Sequence, residues 1–531
     1  MFITSSFLFT DNKATLMKLE NTMKSLYSGE TGNKVPLRTS TITKKNLAQL
    51  NMLKNFQVPF GSLQKNISEN EFISRSALSQ CLKRDKEIYV GNWITTNELS
   101  MIAGLPQKEV VGLSLKEEVE FGLNFKNEVN EENKIKLGNL VQSGSVISNI
   151  NVYLDKRNLD KHIFVTGVTG SGKTTTCQKI LIDSDLPFLI IEPAKTEYRA
   201  LSKKYSDLLV FVLGKDTACP FRLNPFEFFP HESITSRVDM IKASIESSFE
   251  MEAAIPQIIE SAIYECYEDY GWNIATNKNK NYQNPFVDGI YAFPTLENLI
   301  NKVQKVVIDQ GFDERLKNDY IGSIKARLQG LLVGAKGLML NTRRSIDFKS
   351  LLNKKVVLEL EEIRSGSEKS LIMGFILTNL IEAIKENYLQ NGRFNHVTLI
   401  EEAHRLLSKY TQGDSLNKKQ GVETFTDMLA EIRKYGESLV IVDQIPNKLT
   451  PEILKNTNTK IVHKIFAQDD KEAIGNTIVL NKEQKEFLSN LEIGRAIVFT
   501  EGCLMSISWT QKVKLFYAVL LANNSHCSGV M

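Results

Sequence analysis

The chain has 531 residues, and its 65 basic and 62 acidic side chains leave a formal net charge of +3. At about 100–200 residues per domain that length predicts two to four domains. The 42% hydrophobic and 24% charged content excludes a disordered tail protein and a fibre, and near-neutral charge means that any nucleic-acid contact needs a local patch.

In chain order, Met1 to Thr10 is apolar but lacks a basic n-region and a small-residue cleavage site, so it does not read as a signal peptide. Residues 1–134 are expected as a small N-terminal region. Between Lys13 and Lys54 eight basic residues face only Glu20 and Glu30, which reads as a solvated face or partly ordered arm before a binding surface. Thr96 is positioned to cap a short helix. Around His162 the pattern changes to apolar runs alternating with helical stretches. The runs are Ile163–Thr166, Phe188–Ile191, Leu208–Leu213, Val356–Leu360, Val397–Ile400, Leu439–Val442, Ile461–Ile465 and Ala496–Phe499. Such alternation predicts an α/β domain with a mostly parallel sheet, placed at residues 135–512. Within it, residues 233–341 read as a helical insertion broken by a polar loop at Asn277–Asn284, and residues 513–531 as a C-terminal tail. The longest apolar run, Leu371 to Ile381, is interrupted by Gly374, Thr378 and Asn379 and falls short of the roughly 20 residues that cross a bilayer. The six cysteines form no C-x-x-C pair, and His526-Cys527 reads as ordinary tail residues. A reduced, cytoplasmic protein without membrane insertion is expected.

Gly167-Val-Thr-Gly-Ser-Gly-Lys-Thr174 matches the G-x-x-x-x-G-K-[ST] phosphate loop. Glycines let backbone N–H groups wrap phosphate oxygens; Lys173 would neutralise β- and γ-phosphates, and the Thr174 hydroxyl would hold Mg²⁺. The apolar strand Ile163–Thr166 precedes the loop and a helix over Thr175–Ile182 follows, so the helix dipole faces the phosphates. The expected ATP-binding set is Gly167, Val168, Thr169, Gly170, Ser171, Gly172, Lys173, Thr174 and Thr175, with Glu192 closing a nearby strand.

Hydrolysis also needs a metal-side carboxylate and a base for water. His396-Val-Thr-Leu-Ile-Glu401-Glu402 ends an apolar strand in two acids, with Glu401 expected at the metal and Glu402 at the attacking water. A surface end of a strand is the plain alternative. Gln444, after Leu439–Val442 and Asp443, suits a γ-phosphate sensor.

Together these motifs resemble the HerA branch of the HerA/FtsK superfamily of P-loop ATPases. The resemblance rests on Val165–Thr175, Ile190-Ile-Glu-Pro-Ala-Lys-Thr-Glu-Tyr-Arg199 and Leu223-Asn-Pro-Phe226. It continues through Glu401-Glu-Ala-His-Arg405, Glu431-Ile-Arg-Lys-Tyr-Gly436, Val442-Asp-Gln-Ile-Pro446 and Asn456-Thr-Asn-Thr-Lys460. It implies a RecA-like core, a homo-hexameric ring and ATP-driven movement of double-stranded DNA, with a nuclease or other effector in DNA processing or defence against foreign DNA. It also implies an arginine donated by the neighbouring subunit: Arg433 is the first choice, Arg405 and Arg495 the next. The family commonly has Asp where this chain has Glu401, and residues 1–134 are short for a complete HerA-type β-barrel domain. A conjugative or type IV secretion ATPase and an ATP-switched scaffold for an effector are the alternatives. Lys409, Lys418 and Lys419, in a polar loop expected at Ser408–Gln420, mark one place for DNA contact or a merely solvated loop.

Overall fold

A computed structural model describes residues 11–27, 92–103 and 129–500 except 143, 217, 218, 252 and 253, with strands at 2–4 and 515–519 and a few single residues. The chain divides into two compact units, residues 1–116 and 117–531. In the first, Phe2–Thr4 pairs antiparallel with Asn92–Ile94. The Lys-rich segment opens as a helix, Lys13–Leu26, where the Asn12 side chain accepts from the Ala14 amide; Lys34, Arg38, Lys44, Lys45 and Lys54 lie outside the described residues. A second helix spans Thr96–Ala103.

The second unit is built on one sheet. Its strands are β1 (Lys134–Gln142), β2 (Ser145–Asp155), β3 (Ile163–Thr166), β4 (Phe188–Glu192), β5 (Leu209–Val212), β6 (Lys355–Glu359), β7 (His396–Glu401), β8 (Glu437–Asp443), β9 (Thr459–Val462), β10 (Arg495–Phe499) and β11 (Leu515–Val519). They lie in the order β2-β1-β11-β10-β9-β3-β8-β7-β4-β6-β5. Every pairing from β9 across to β5 is parallel, and the other four strands add on antiparallel. β11 falls in the segment expected as a tail.

Both faces of the parallel part are covered, which is why its strands read as unbroken apolar runs. Alternate residues enter two cores. Phe164, Leu189, Ile191, Leu439 and Ile441 pack on one side, and Ile163, Val165, Ile190, Val440 and Val442 on the other. The second side carries helix α1 (Lys173–Ser184). Against the first pack α2 (Ile234–Ser248), α3 (Ala254–Asp269), α4 (Leu296–Asp309) and α5 (Glu314–Gln329), all between β5 and β6, followed by α6 (Gly366–Asn391). The Leu371–Ile381 run is the buried middle of α6. No helix among the described residues is long and apolar enough to cross a membrane.

One ion pair fixes α2 to this core. Arg237 is fully buried; its Nε and Nη2 donate to Glu232 at 2.9 and 2.7 Å, and Nη1 donates to Asn379 of α6 at 3.3 Å. Arg237→Ala would strand a buried carboxylate, with an expected loss of about 3–5 kcal/mol in urea unfolding. A Glu232→Leu/Arg237→Met double variant should lose far less; equal losses in the two would refute the stranded charge as the cause.

Candidate nucleotide site

The parallel strands all deliver their C-terminal ends to one edge, where α/β sheets bind ligands. β3 ends in the phosphate loop, and α1 begins at Lys173 with Gly172 as its N-cap. Gly167, Gly170 and Gly172 have φ of +145°, +78° and +115°, conformations that side-chain-bearing residues resist. A Cβ on Gly167 would also stand 2.6 Å from the His463 Cβ. The loop is anchored from the segment after β9, since the Val168 amide donates to the Lys464 carbonyl at 2.8 Å. The Lys173 ammonium donates to the carbonyls of Gly167 at 2.6 Å and Val168 at 3.0 Å. Burial holds it below the usual lysine range, against the opposing pull of Glu401.

His463 lies beneath this loop, buried, with Nδ1 3.2 Å from the Arg495 carbonyl and Nε2 2.9 Å from the Thr176 hydroxyl. A carbonyl only accepts, so Nδ1 carries the proton and Nε2 is the acceptor. Burial, aided by Lys173, holds the imidazole at about 4, hence neutral at physiological pH.

The acids stand two strands away from β3, with β8 between. Glu401 ends β7, buried, and accepts from the Tyr198 hydroxyl at 2.8 Å. Burial pushes its carboxyl up, and the Tyr198 bond opposes this. Glu402 follows with a left-handed backbone, φ 47° and ψ 46°, an uncommon conformation for a residue with a side chain. That carboxylate accepts from Arg405 Nε at 2.6 Å and Nη2 at 2.5 Å. Asp443 ends β8 and joins the two neighbouring loops by accepting from the amides of His404 at 2.8 Å and Ile445 at 2.9 Å. Gln444 then reaches the loop itself, accepting from the Thr169 hydroxyl at 2.8 Å. Thr175 is exposed on the first turn of α1.

Glu192 is wholly buried at the end of β4 and accepts from the Glu197 amide at 2.7 Å. Burial, partly offset by that bond, pushes it up to about 8. No motif marks Glu197 individually in the sequence, yet it touches the phosphate loop directly: the Thr174 hydroxyl donates to its Oε2 at 2.5 Å. Burial would raise its carboxyl, but bonds from Thr174 and Lys195 outweigh it and hold the group below the usual range. The only sequence signal was its place in Ile190–Arg199. Tyr198, His463 and Lys195 likewise carried no individual signal.

Arg433 is elsewhere. It is exposed on a 3₁₀ turn, Ile432–Tyr435, at the start of β8. The seven residues of β8, at about 3.3 Å each, place it roughly 20 Å from the phosphate-loop edge. Arg495 donates to the Gly144 carbonyl and pairs with Glu492. The polar loop expected at Ser408–Gln420 ends at Ser415, which caps helix α7 (Leu416–Glu431), and Lys418 is engaged with Glu250 and Asp414.

The donors fit a nucleotide with Mg²⁺: left-handed glycines that turn amides inward, a lysine at the loop, and a hydroxyl beside carboxylates, which are hard oxygen ligands. Fold and loop together define a P-loop ATPase with a RecA-like α/β core. The profile described as "Helicase HerA, central domain" matches residues 135–474. The chain belongs to that family, a HerA/FtsK-type ATPase. It is 27% identical over 409 residues to the probable DNA double-strand break repair helicase HerA of Methanocaldococcus jannaschii, covering 70% of this chain and 75% of that one. With the DNA double-strand break repair helicase HerA of Sulfolobus acidocaldarius it shares 34% identity over 131 residues, 24% of this chain and 25% of that one. The solved structure of VirB4 of Thermoanaerobacter pseudethanolicus has the same fold, with a TM-score of 0.53 at 16% identity over 75% of this chain and 99% of that chain.

Proposed function

We propose that this chain is the motor of a homo-hexameric ring that couples ATP hydrolysis to movement of double-stranded DNA, working with a nuclease or other effector in DNA processing or defence. What carries the reading is an intact phosphate loop sharing one sheet edge with Glu401, Glu402 and Gln444, in a chain whose relatives are named as DNA double-strand break repair helicases.

Lys173 would leave the loop carbonyls for the β- and γ-phosphates, and the loop amides would hold their oxygens. Thr174 and Glu401 would hold Mg²⁺, which when bound neutralises charge on the β- and γ-oxygens. Glu402 takes a proton from water as the water oxygen bonds to the γ-phosphorus. The bond from that phosphorus to the bridging oxygen breaks, leaving ADP and phosphate. Gln444, which accepts from Thr169, would report whether the γ-phosphate is present, and Arg433 of a neighbour would offset charge as the bond breaks.

ATP turnover of the purified chain should rise several-fold with double-stranded DNA, in a particle of hexamer mass by light scattering. The DNA affinity should fall steeply with salt. Turnover indifferent to DNA would overturn the DNA-motor reading and favour a secretion-type ATPase or an ATP-switched scaffold.

A further inference from the structure

A threonine hydroxyl has one hydrogen and two lone pairs. To serve a cation through its oxygen it must send the hydrogen elsewhere, and the acceptor that takes the hydrogen sets which way the lone pairs face. The acid ending β7, Glu401, does not perform this task here: its Oε1 accepts from Tyr198. The acceptor is Glu197, whose Oε2 stands 2.5 Å from Thr174 Oγ1.

The segment around Glu197 is pinned on every side. Its amide is held by Glu192 at 2.7 Å. Its carbonyl accepts from Gln178 Nε2 at 3.1 Å, on the same helix as Thr174. Arg199 forms a bidentate pair with Glu359 at the end of β6, and the Pro193 carbonyl accepts from the Lys369 ammonium. The second carboxylate oxygen of Glu197 receives Lys195 at 3.2 Å. Glu192 is sealed in the core, but the Glu197 side chain is 43% exposed.

We infer that Glu197 is a positioning residue for the metal of the bound nucleotide: it takes the Thr174 hydroxyl hydrogen and leaves that oxygen's lone pairs free for Mg²⁺. The inference rests on the reading of this loop as the ATP site. Carboxylates that orient a ligand in this way are worth about 10–100-fold in metal affinity.

The test is a titration of the full chain with a fluorescent ATP analogue, once in EDTA and once across a Mg²⁺ series. Glu197→Ala should bind the analogue in EDTA as the wild type does, but require about 10–100-fold more Mg²⁺ to reach the tight complex. Glu197→Gln, which keeps an acceptor oxygen without the charge, should fall between. Because the effect runs through one hydroxyl, adding Glu197→Ala to Thr174→Val should cause no further loss. An unchanged Mg²⁺ series in Glu197→Ala, an additive double variant, or a parallel loss of binding in EDTA would each overturn the inference. Lys173→Ala separates the two levels. If it binds the analogue as tightly as the wild type, the nucleotide site itself is wrong; if it does not and Glu197→Ala is silent, only the role of Glu197 is lost.

Discussion

Glu402→Gln will bind ATP as the wild type does and turn it over about 10²–10⁴-fold more slowly, the range lost when a general base is removed. Glutamine preserves the side chain's length and an acceptor for Arg405, so the contacts at 2.5–2.6 Å can persist in part and the left-handed backbone is untouched. What it cannot do is take the proton from water. The loss should therefore fall on kcat, with little change in KM, and a single-turnover assay beside equilibrium binding separates the two. Glu401→Gln should behave differently, weakening the Mg²⁺-dependent part of binding as well as turnover. If Glu402→Gln hydrolysed ATP within a few-fold of the wild type, Glu402 would have to be removed from the base role.

The contrast between these two acids shows which parts of the site a sequence can carry. Gly167 to Thr174 is a local pattern, and Glu401-Glu402 ends a strand buried on both faces, so both could be located by short-range spacing. The same burial made the runs in β3 to β10 stand out. The hairpin β1–β2 leaves no clear sequence pattern, for the opposite reason. β2 mixes Ser145, Ser148, Asn149 and Asn151 with Val146, Ile147 and Ile150 without a clean alternation and is exposed at positions in its first half, and its pairing with β1 is broken by register shifts at Lys136/Gly138 and Asn139/Leu140. Contacts made only by folding were also hidden. Glu197 meets Thr174 across 23 positions of sequence, and His463 meets Thr176 across 287. Neither spacing corresponds to a helix or strand period, so no periodicity marks them. Ser415 did carry a legible signal: as an N-cap it starts α7 inside the segment read as a loop.

Arg433→Ala should slow ATP turnover by about 10³–10⁵-fold, the contribution of an arginine placed on the γ-phosphate, without loss of nucleotide affinity or fold. Its exposure at the start of β8 makes a structural penalty small, and its distance from the phosphate loop of its own chain forbids action there. In the proposed ring it would act in a neighbour's site, through a head-to-tail interface. That geometry has a consequence that a surface role would not share. Arg433→Ala and Glu402→Gln chains, each nearly inactive alone, should regain turnover when mixed and allowed to exchange. A site then combines an intact Glu402 from one chain with an intact Arg433 from the next, in about one site in four for random rings. A mixture as inactive as its parents, although both bind nucleotide and assemble to the same mass, would rule Arg433 out as the shared arginine. Arg405 and Arg495 would be next in the same exchange assay, and Arg405 predicts the opposite pattern if it serves only its own Glu402: no recovery on mixing.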